Sequence, residues 1–250
     1  MVPYVPAALI DKSRGGFFHD EMTDSTGPLG PVSVHGGEAV RVRGPRRRLR
    51  PDDRRRALMV AALRLFRERS YDQVSVDDIA AAADMSRPLL YHYYGGKLGV
   101  FVAALRQTAD DLLAAMRTAA ERCPDTWLSA GVGAYLDHVA ANPIGFSALI
   151  GHGSSPAGGE SETVIGQTRD AILELVMEGL RPVAEPPMLR SVIKGWIGLV
   201  EVISRQWMET GQPDRARLER ILIEMFDAAL ETTARNDPAV REALRSRTWN

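Results

Sequence analysis

Apolar residues recur at helical spacing along most of this chain. From Pro51 onward they follow the three- and four-residue spacing of an amphipathic helix, which predicts a helix to about Arg69. Pro51, Asp52 and Asp53 favour a helix start, because proline and acidic side chains suit the first turn. Further helices are predicted at about 76–83, 86–94, 97–121, 125–141, 143–150, 161–181, 187–210 and 214–235, with one weak turn after Pro238. No alternating run of β-branched residues of useful length interrupts this pattern, so we predict an all-α protein.

Two of these predicted helices are short and are separated by a three-residue break. Ser75 begins the first helix as its N-cap, with Asp78 in the acid position of a capping box. The break, residues 84–86, has the length of the turn in a helix-turn-helix motif. Ser86 can cap the second helix, and Pro88 suits its first turn, where a missing N–H costs little.

The second short helix has an inner and an outer face. Leu90 and Tyr94, four residues apart, are predicted to face inward, with Leu89 and Tyr93 at the borders. The outward residues are then Arg87, Pro88, Tyr91 and His92. Such a helix fits a DNA major groove, where Arg reads guanine and hydroxyl groups donate to phosphates. Lys97 follows at the start of the next helix, where an ammonium and free N–H groups attract phosphate. Helix pairs and packed tyrosines also occur in all-α proteins that do not bind DNA, so the pattern alone leaves both interpretations open.

Charge is distributed unevenly along the chain. Residues 41–97 contain 14 Lys and Arg against 7 Asp and Glu, a net charge of +7, whereas the other residues contain 17 against 25, a net charge of −8. This local excess favours a polyanionic partner, with nucleic acid the commonest one, over a merely solvated face. Six arginines lie within Arg41–Arg50, at the end of a Gly- and Pro-rich segment that predicts a disordered tail at residues 1–45. This arginine-rich arm is either a solubilising linker or a phosphate-binding extension, with minor-groove contact left open.

Residues 54–101 resemble the DNA-binding domain of the TetR (tetracycline repressor) family of bacterial transcriptional regulators. The residues that carry the resemblance are Ala62, Leu65 and Phe66, then Val76–Ala80, Ser86–Tyr94, and Gly96 with Lys97. The resemblance implies that the third helix is the recognition helix, that Ser75, Tyr93 and Lys97 contact phosphates, and that Arg87, Pro88 and His92 lie nearest the bases. The complete predicted DNA-contacting set is Ser75, Ser86, Arg87, Pro88, Tyr91, His92, Tyr93 and Lys97.

Two positions depart from the family pattern. Asp84 stands where the family usually has a glycine in the turn, and Leu98 with Gly99 replaces the usual Glu after Lys97. Asp tolerates left-handed backbone geometry better than most residues, so the turn is expected to form. The second departure affects the expected cap of the fourth helix and leaves Lys97 in place.

The family architecture implies a domain arrangement for the whole chain: a DNA-binding domain at 46–96, a larger helical ligand-binding and dimerisation domain at 97–236, and a C-terminal tail at 237–250. The 187–210 segment is apolar on two faces, which indicates two packing partners. One face carries Val192, Trp196, Leu199, Ile203 and Trp207, and the other carries Leu189, Ile193, Ile197 and Val200. We predict that this helix and 214–235 form a four-helix homodimer interface, with a single monomeric bundle as the alternative.

A pocket for a small-molecule effector is predicted within the same helical domain. The candidate lining residues are Trp127, Tyr135, His138, Phe146, Trp196 and Trp207, with Glu201, Arg205 and Gln206 as possible orienting groups. Each aromatic residue on its own would be ordinary core packing. Residues 151–160, GHGSSPAGGE, are predicted to form a flexible loop at the entrance. The sequence specifies the effector only as a small, largely apolar molecule with few polar groups.

Other classes of function find little support. The single cysteine, Cys123, excludes an internal disulfide framework, and the five histidines lack the spacing of metal ligands. GHGSS does not match the G-x-S-x-G nucleophile motif. We therefore predict no catalytic residue, no metal and no cofactor. No apolar run approaches the roughly 20 residues of a membrane span, and the N-terminus is a poor signal peptide, so we predict a cytoplasmic protein without a membrane partner.

The predicted function is that of a sequence-specific regulator, a dimeric repressor on a palindromic operator in double-stranded DNA that a small hydrophobic effector releases. The alternative is an all-α small-molecule-binding or scaffold protein whose DNA binding has degenerated, with Asp84 as the lesion.

Overall fold

The protein, in a computed structural model, is described at residues 50–149 and 159–245, and every regular element within these ranges is helical. The α-helices are α1 (Pro51–Glu68), α2 (Val76–Ala82), α3 (Arg87–Tyr94), α4 (Lys97–Arg122), α5 (Trp127–Ala141), α6 (Pro143–Leu149), α7 (Glu160–Leu180), α8 (Pro187–Thr210), α9 (Arg215–Asn236) and α10 (Pro238–Ala243). This confirms the all-α prediction, with boundaries within one or two residues of those expected. The predicted N-terminal tail, residues 41–49 of the arm and residues 150–158 lie outside the described residues.

Helices α1 to α3 share one small core. Leu58 and Phe66 of α1, Ile79 of α2 and Leu90 of α3 are all at most 7% exposed. With 7 residues, α2 is too short to be stable alone. It is therefore held by this core and by the capping box at its N-terminus.

The long helix α4 connects α1–α3 to the rest of the protein. It packs on α1 and α3 near its N-terminus, and on α5, α6 and α7 farther along. One hydrophobic cluster runs from Leu58 in α1 through Leu112 in α4 to Leu244 after α10. Helix α4 thus contacts both the helix-turn-helix and the larger helical domain.

Residues 237–245 are packed rather than a tail. The Asp237 carboxylate accepts hydrogen bonds from the backbone N–H groups of Ala239 and Val240, at 2.8 and 3.2 Å, and so caps α10. Val240 and Leu244 are buried. This packing replaces the tail that the sequence pattern suggests for these residues. None of the described helices is both long and apolar enough to cross a membrane.

Candidate nucleic-acid interface

The N-terminus of α2 is fixed by a complete capping box. The Ser75 hydroxyl accepts a hydrogen bond from the Asp78 N–H at 3.0 Å, and both the hydroxyl and the N–H of Ser75 donate to the Asp78 carboxylate, at 2.7 and 2.8 Å. These hydrogen bonds hold the pKa of the Asp78 carboxyl below its usual value. The capping box is as predicted. It occupies the donors that Ser75 would offer to a phosphate, so the phosphate contact of Ser75 stays a prediction.

The turn between α2 and α3 keeps helix-turn-helix geometry without a glycine. Asp84 has a φ of +51°, in the left-handed region, as its position predicts. The N–H of the next residue, Met85, donates to the Ala80 carbonyl at 2.8 Å and closes the turn. Ser86 occupies the N-cap position of α3 but makes no side-chain capping bond. Ser86 thus has the backbone conformation of an N-cap residue, but its side chain does not cap α3.

Helix α3 has the predicted inner face. Leu90 is fully buried, and the Tyr94 hydroxyl donates to the Arg55 carbonyl of α1 at 3.0 Å. Burial raises the pKa of the Tyr94 hydroxyl. Tyr94 is therefore an anchor of α3 rather than a DNA contact.

The outer face of α3 carries the candidate base-contacting residues. Arg87, Pro88, Tyr91 and His92 are exposed, and Tyr93 is half-buried at the border, with its ring 5.0 Å from that of His92. The Arg87 Nε lies 3.3 Å from an Asp77 carboxylate oxygen, and both side chains are largely exposed. Arg87 must exchange this partner to contact a base.

Lys97 lies directly after the sharp turn that ends α3. Gly95 and Gly96 have φ values of +71° and +133°, which favour glycine, and a Cβ on Gly96 would lie 3.3 Å from the Tyr91 ring. Lys97 is the first residue of α4, where the first backbone N–H groups of a helix have no partner within the helix.

The ring of Tyr71 holds the Lys97 side chain. The Lys97 Nζ lies 4.0 Å from the Tyr71 ring centroid. The Tyr71 ring packs edge-on against Phe101, with centroids 4.9 Å apart. No local sequence pattern links Tyr71 to Lys97, because a whole helix-turn-helix separates the two residues.

The described part of this surface is only weakly basic. Residues 50–97 contain 9 Lys and Arg against 7 Asp and Glu, a net charge of +2. The other five positive charges of the basic segment belong to arginines of the arm, outside the described residues. The candidate base- and phosphate-contacting residues thus lie on α3 and at the start of α4, whereas most of the net positive charge of residues 41–97 belongs to the arm.

Three of the six predicted pocket residues meet in the helical domain. Tyr135, Phe146 and Trp196 line a cavity of about 40 Å³ enclosed by α4 to α8. The Tyr135 and Phe146 rings meet edge to face, with centroids 5.7 Å apart. Arg169 and Glu201 line the same cavity. No sequence pattern marks Arg169 as a cavity residue, because its partner Glu201 lies on the next helix.

The other three predicted pocket residues lie outside this cavity. The Trp127 ring packs on Gly179, where a Cβ would collide with it. The Trp207 Nε1 donates to the Pro213 carbonyl at 3.0 Å. His138 is half-buried, and burial lowers its pKa.

Helices α8 and α9 present a second apolar surface that is partly open. Trp196 lies on the buried face of α8 with Leu189 and Ile193, although the sequence pattern groups it with the other apolar face of this helix. The outer strip of α8 instead follows Met188, Val192, Gly195, Leu199 and Val202, at spacings of three and four residues. Met188 and Val202 are 49% and 54% exposed, and Met225 of α9 is 38% exposed. A Cβ placed on Gly195 would meet nothing within 4 Å, so another helix can approach closely there.

Within residues 50–149 and 159–245, no group of three His, Cys, Asp or Glu side chains is placed to hold a metal ion.

Two family models match this chain. Residues 58–104 match the model described as bacterial regulatory proteins, tetR family. Residues 124–229 match the model described as Tetracyclin repressor-like, C-terminal domain. The first match covers most of α1, all of α2 and α3 and the start of α4, and the second covers α5 to most of α9.

Solved structures and curated proteins give the same likeness. The crystal structure of a tetR-family transcriptional regulator from Streptomyces coelicolor is 35% identical, over 78% of this chain and 88% of that chain, with a TM-score of 0.68. The HTH-type transcriptional activator FasR of Mycolicibacterium smegmatis is 27% identical over 186 residues, 71% of this chain and 83% of FasR. The HTH-type transcriptional regulator EthR of Mycobacterium tuberculosis is 37% identical over 83 residues, 32% of this chain and 38% of EthR.

Proposed function

This chain belongs to the TetR family of bacterial regulatory proteins, and from that premise we propose that its helix α3 reads an operator in double-stranded DNA. The chain is a DNA-binding transcriptional regulator, and its family is not an enzyme family. The observation that carries the proposal is the orientation of α3. Leu90 and Tyr94 fix the helix from within, while Arg87, Pro88, Tyr91 and His92 face solvent together.

The proposed contacts divide into bases and phosphates. Arg87 and His92 contact base edges. Tyr93 and Lys97 donate to phosphates, as does the Ser86 hydroxyl, which makes no capping bond to α3. Arg87 gives up Asp77 on binding. An exposed ion pair contributes at most about 1 kcal/mol, and a bidentate Arg–guanine contact contributes roughly 1–3 kcal/mol of discrimination. Replacing the Asp77 contact of Arg87 by a guanine contact is therefore favourable on operator DNA. On DNA without a guanine at that position, losing the Asp77 contact is unfavourable.

Dimerisation through the outer strip of α8 and the adjoining face of α9 would place two copies of α3 on one DNA site. A helix-turn-helix dimer reads half-sites about 34 Å apart, in successive major grooves, and two-fold symmetry makes the site palindromic. The exposed Met188, Val202 and Met225 support this interface. Introducing a charge with Leu199→Arg should yield a monomer by light scattering. Arg205→Lys, on the same helix, is the control.

Regulation is proposed to run through α4. A small effector bound in the cavity between α4 and α8 would displace α4, which also packs on α1 and α3. Coupling of this kind amounts to about 1–3 kcal/mol, a 5- to 150-fold loss of DNA affinity. We propose repression released by the effector. A reporter gene behind the operator tests the sign: expression should rise when the regulator is deleted.

Neighbouring tyrosines provide a matched test of the interface. Tyr93→Phe should weaken binding to operator and random DNA equally, by about 1.5 kcal/mol, because it removes a hydrogen bond to a charged phosphate. Tyr94→Phe should reduce thermal stability and leave the DNA contacts intact, because it removes the bond to the Arg55 carbonyl. Arg87→Ala should cost about 1–3 kcal/mol more on operator than on random DNA. Equal losses for Arg87→Ala on both DNAs would contradict base reading by α3.

The alternative of a degenerate DNA-binding motif rests on Asp84. The left-handed φ of Asp84 and the closed turn support a working motif rather than a lesion. A folded dimer that binds no DNA fragment at low salt would favour the alternative.

A further inference from the structure

The cavity between α4 and α8 is mainly apolar, and at one end it is lined by Tyr135, Arg169 and Glu201. Tyr135 is 5% exposed, and Ser204, which does not line the cavity, is fully buried next to it. The Ser204 hydroxyl lies within hydrogen-bonding reach of the Tyr135 hydroxyl and lowers its pKa, against the larger opposite effect of burial. Neither hydroxyl makes a hydrogen bond of normal geometry among the described residues. A buried polar group with incomplete hydrogen bonds is costly, so the Tyr135 hydroxyl is a place where a ligand in the cavity can supply a missing bond.

The charge at this end of the cavity is balanced. Arg169 and Glu201 pair through hydrogen bonds of 2.8 and 2.9 Å, and the Glu201 side chain is only 14% exposed. An ionised ligand group would have to compete with this pair. A ligand ammonium would compete with Arg169 for Glu201. A ligand carboxylate would compete with Glu201 for Arg169 and would leave Glu201 without its partner. An unpaired charge in such a poorly hydrated site is strongly unfavourable. The Tyr135 phenol itself stays neutral, because burial raises its pKa.

The cavity is too small to enclose an effector by itself. Its volume of about 40 Å³ compares with roughly 300–1,000 Å³ for typical ligand sites. A groove of about 920 Å³ between α4, α5, α7 and α9 shares Met116, Val132 and Trp196 with the cavity. These three side chains therefore lie at the boundary between the two spaces. Met116 is flexible enough to move aside.

We propose that the effector is an uncharged, elongated molecule whose neutral hydroxyl or carbonyl group bonds Tyr135, while its apolar chain passes Met116 into the groove. The ligand oxygen accepts from the Tyr135 hydroxyl, whose own oxygen accepts from the Ser204 hydroxyl behind it. This proposal rests on the effector role proposed above and specifies its chemistry. The site selects against carboxylates and amines of the same length.

Three probes with the same ten-carbon chain test the head group: 1-decanol, decanoate and decylammonium at neutral pH. Binding is followed by the fluorescence of the tryptophans, which include Trp196 in the cavity wall, and by thermal shift. Decanol should bind at least about tenfold more tightly than either charged probe, a difference of about 1.4 kcal/mol. Equal or tighter binding of decanoate or decylammonium would overturn the proposal.

Variants locate the polar contact. Tyr135→Phe should weaken decanol binding about fivefold, as expected for one neutral hydrogen bond. Ser204→Ala should weaken it less, because Ser204 acts through Tyr135. Thr163→Ala, which removes an exposed hydroxyl of α7, should leave it unchanged. The ligand assignment fails if Tyr135→Phe folds and binds decanol as the parent protein does.

Chain length tests the passage into the groove. From hexanol to decanol, affinity should rise about fourfold per methylene, the equivalent of about 0.8 kcal/mol for each buried CH₂. A plateau at short alcohols would show that only the small cavity is used and would refute the elongated ligand.

DNA binding by the ligand-free protein is measured on the same preparations. Intact DNA binding with no response to any probe would reject the ligand proposal alone.

Discussion

The contact between Tyr71 and Lys97 gives a quantitative prediction about DNA affinity. Lys97 begins α4, and its ammonium lies 4.0 Å from the Tyr71 ring centroid. A cation–π contact at a partly exposed site contributes about 0.5–1 kcal/mol. The ring leaves the positive charge intact and limits the conformations of the lysine side chain, so the phosphate contact loses less entropy on forming. Tyr71 is therefore a positioning residue for Lys97.

The prediction is a double-mutant cycle on operator DNA. Lys97→Met should remove one phosphate contact and lower the slope of log affinity against log salt by about 0.9. Between 50 and 200 mM salt, the parent protein should therefore lose about 3.5-fold more affinity than the variant. Tyr71→Leu should weaken binding by itself, and Lys97→Met should cost about 0.5–1 kcal/mol less in the Tyr71→Leu background.

Fluorescence anisotropy with labelled DNA measures all four proteins, at temperatures well below their melting points. Tyr71→Phe is the control, because it keeps the ring and should bind like the parent protein. The reasoning would be refuted by a coupling below about 0.3 kcal/mol, which is within ordinary additivity error. Tighter DNA binding by Tyr71→Leu would also refute it, since the ring would then compete with the phosphate for the lysine.

Three further predictions concern the turn, the arm and one histidine. In urea denaturation, Asp84→Gly should be more stable than Asp84→Ala by about 1 kcal/mol. Both variants lose the carboxylate, but only glycine adopts the φ of +51° without strain. Equal stabilities would contradict the left-handed turn. Deleting residues 1–49 should weaken binding to all DNA and flatten the salt dependence by about 0.9 per lost phosphate contact, with sequence preference retained; an unchanged slope would make the arm a free linker. Burial lowers the pKa of His138, so the folded state favours its neutral form, and this stability is lost as the pH falls below the unfolded value of about 6.5. His138→Gln should therefore lose less stability than the parent between pH 7 and 5, and parallel curves would contradict the burial effect.

The sequence predicts the helices well because local signals define them. Proline and acidic residues begin α1 at Pro51, the Ser75–Asp78 pair begins α2, and prolines or glycines separate most later helices. The facing of α3 is also local. Leu90 and Tyr94 are four residues apart, and the structure places both on the inner side.

The cavity could not be predicted to the same degree, because its lining depends on how distant helices pack. Tyr135, Phe146 and Trp196 meet there, whereas Trp127 packs on Gly179 in the wall of the neighbouring groove and Trp207 donates to the Pro213 carbonyl. Periodicity shows that a helix has an apolar face but not which partner covers it. For the same reason, the sequence groups Trp196 with Val192 and Leu199, although it lies on the buried face of α8.

Selection of binding sites from a random double-stranded DNA library tests the central claim, that the exposed face of α3 reads DNA sequence. The parent protein should enrich a palindrome with half-sites about 10 base pairs apart, centre to centre. Arg87→Ala should enrich the same palindrome with the preference lost at one symmetric position in each half-site. No enriched motif, or a motif identical for the two proteins, would contradict the account.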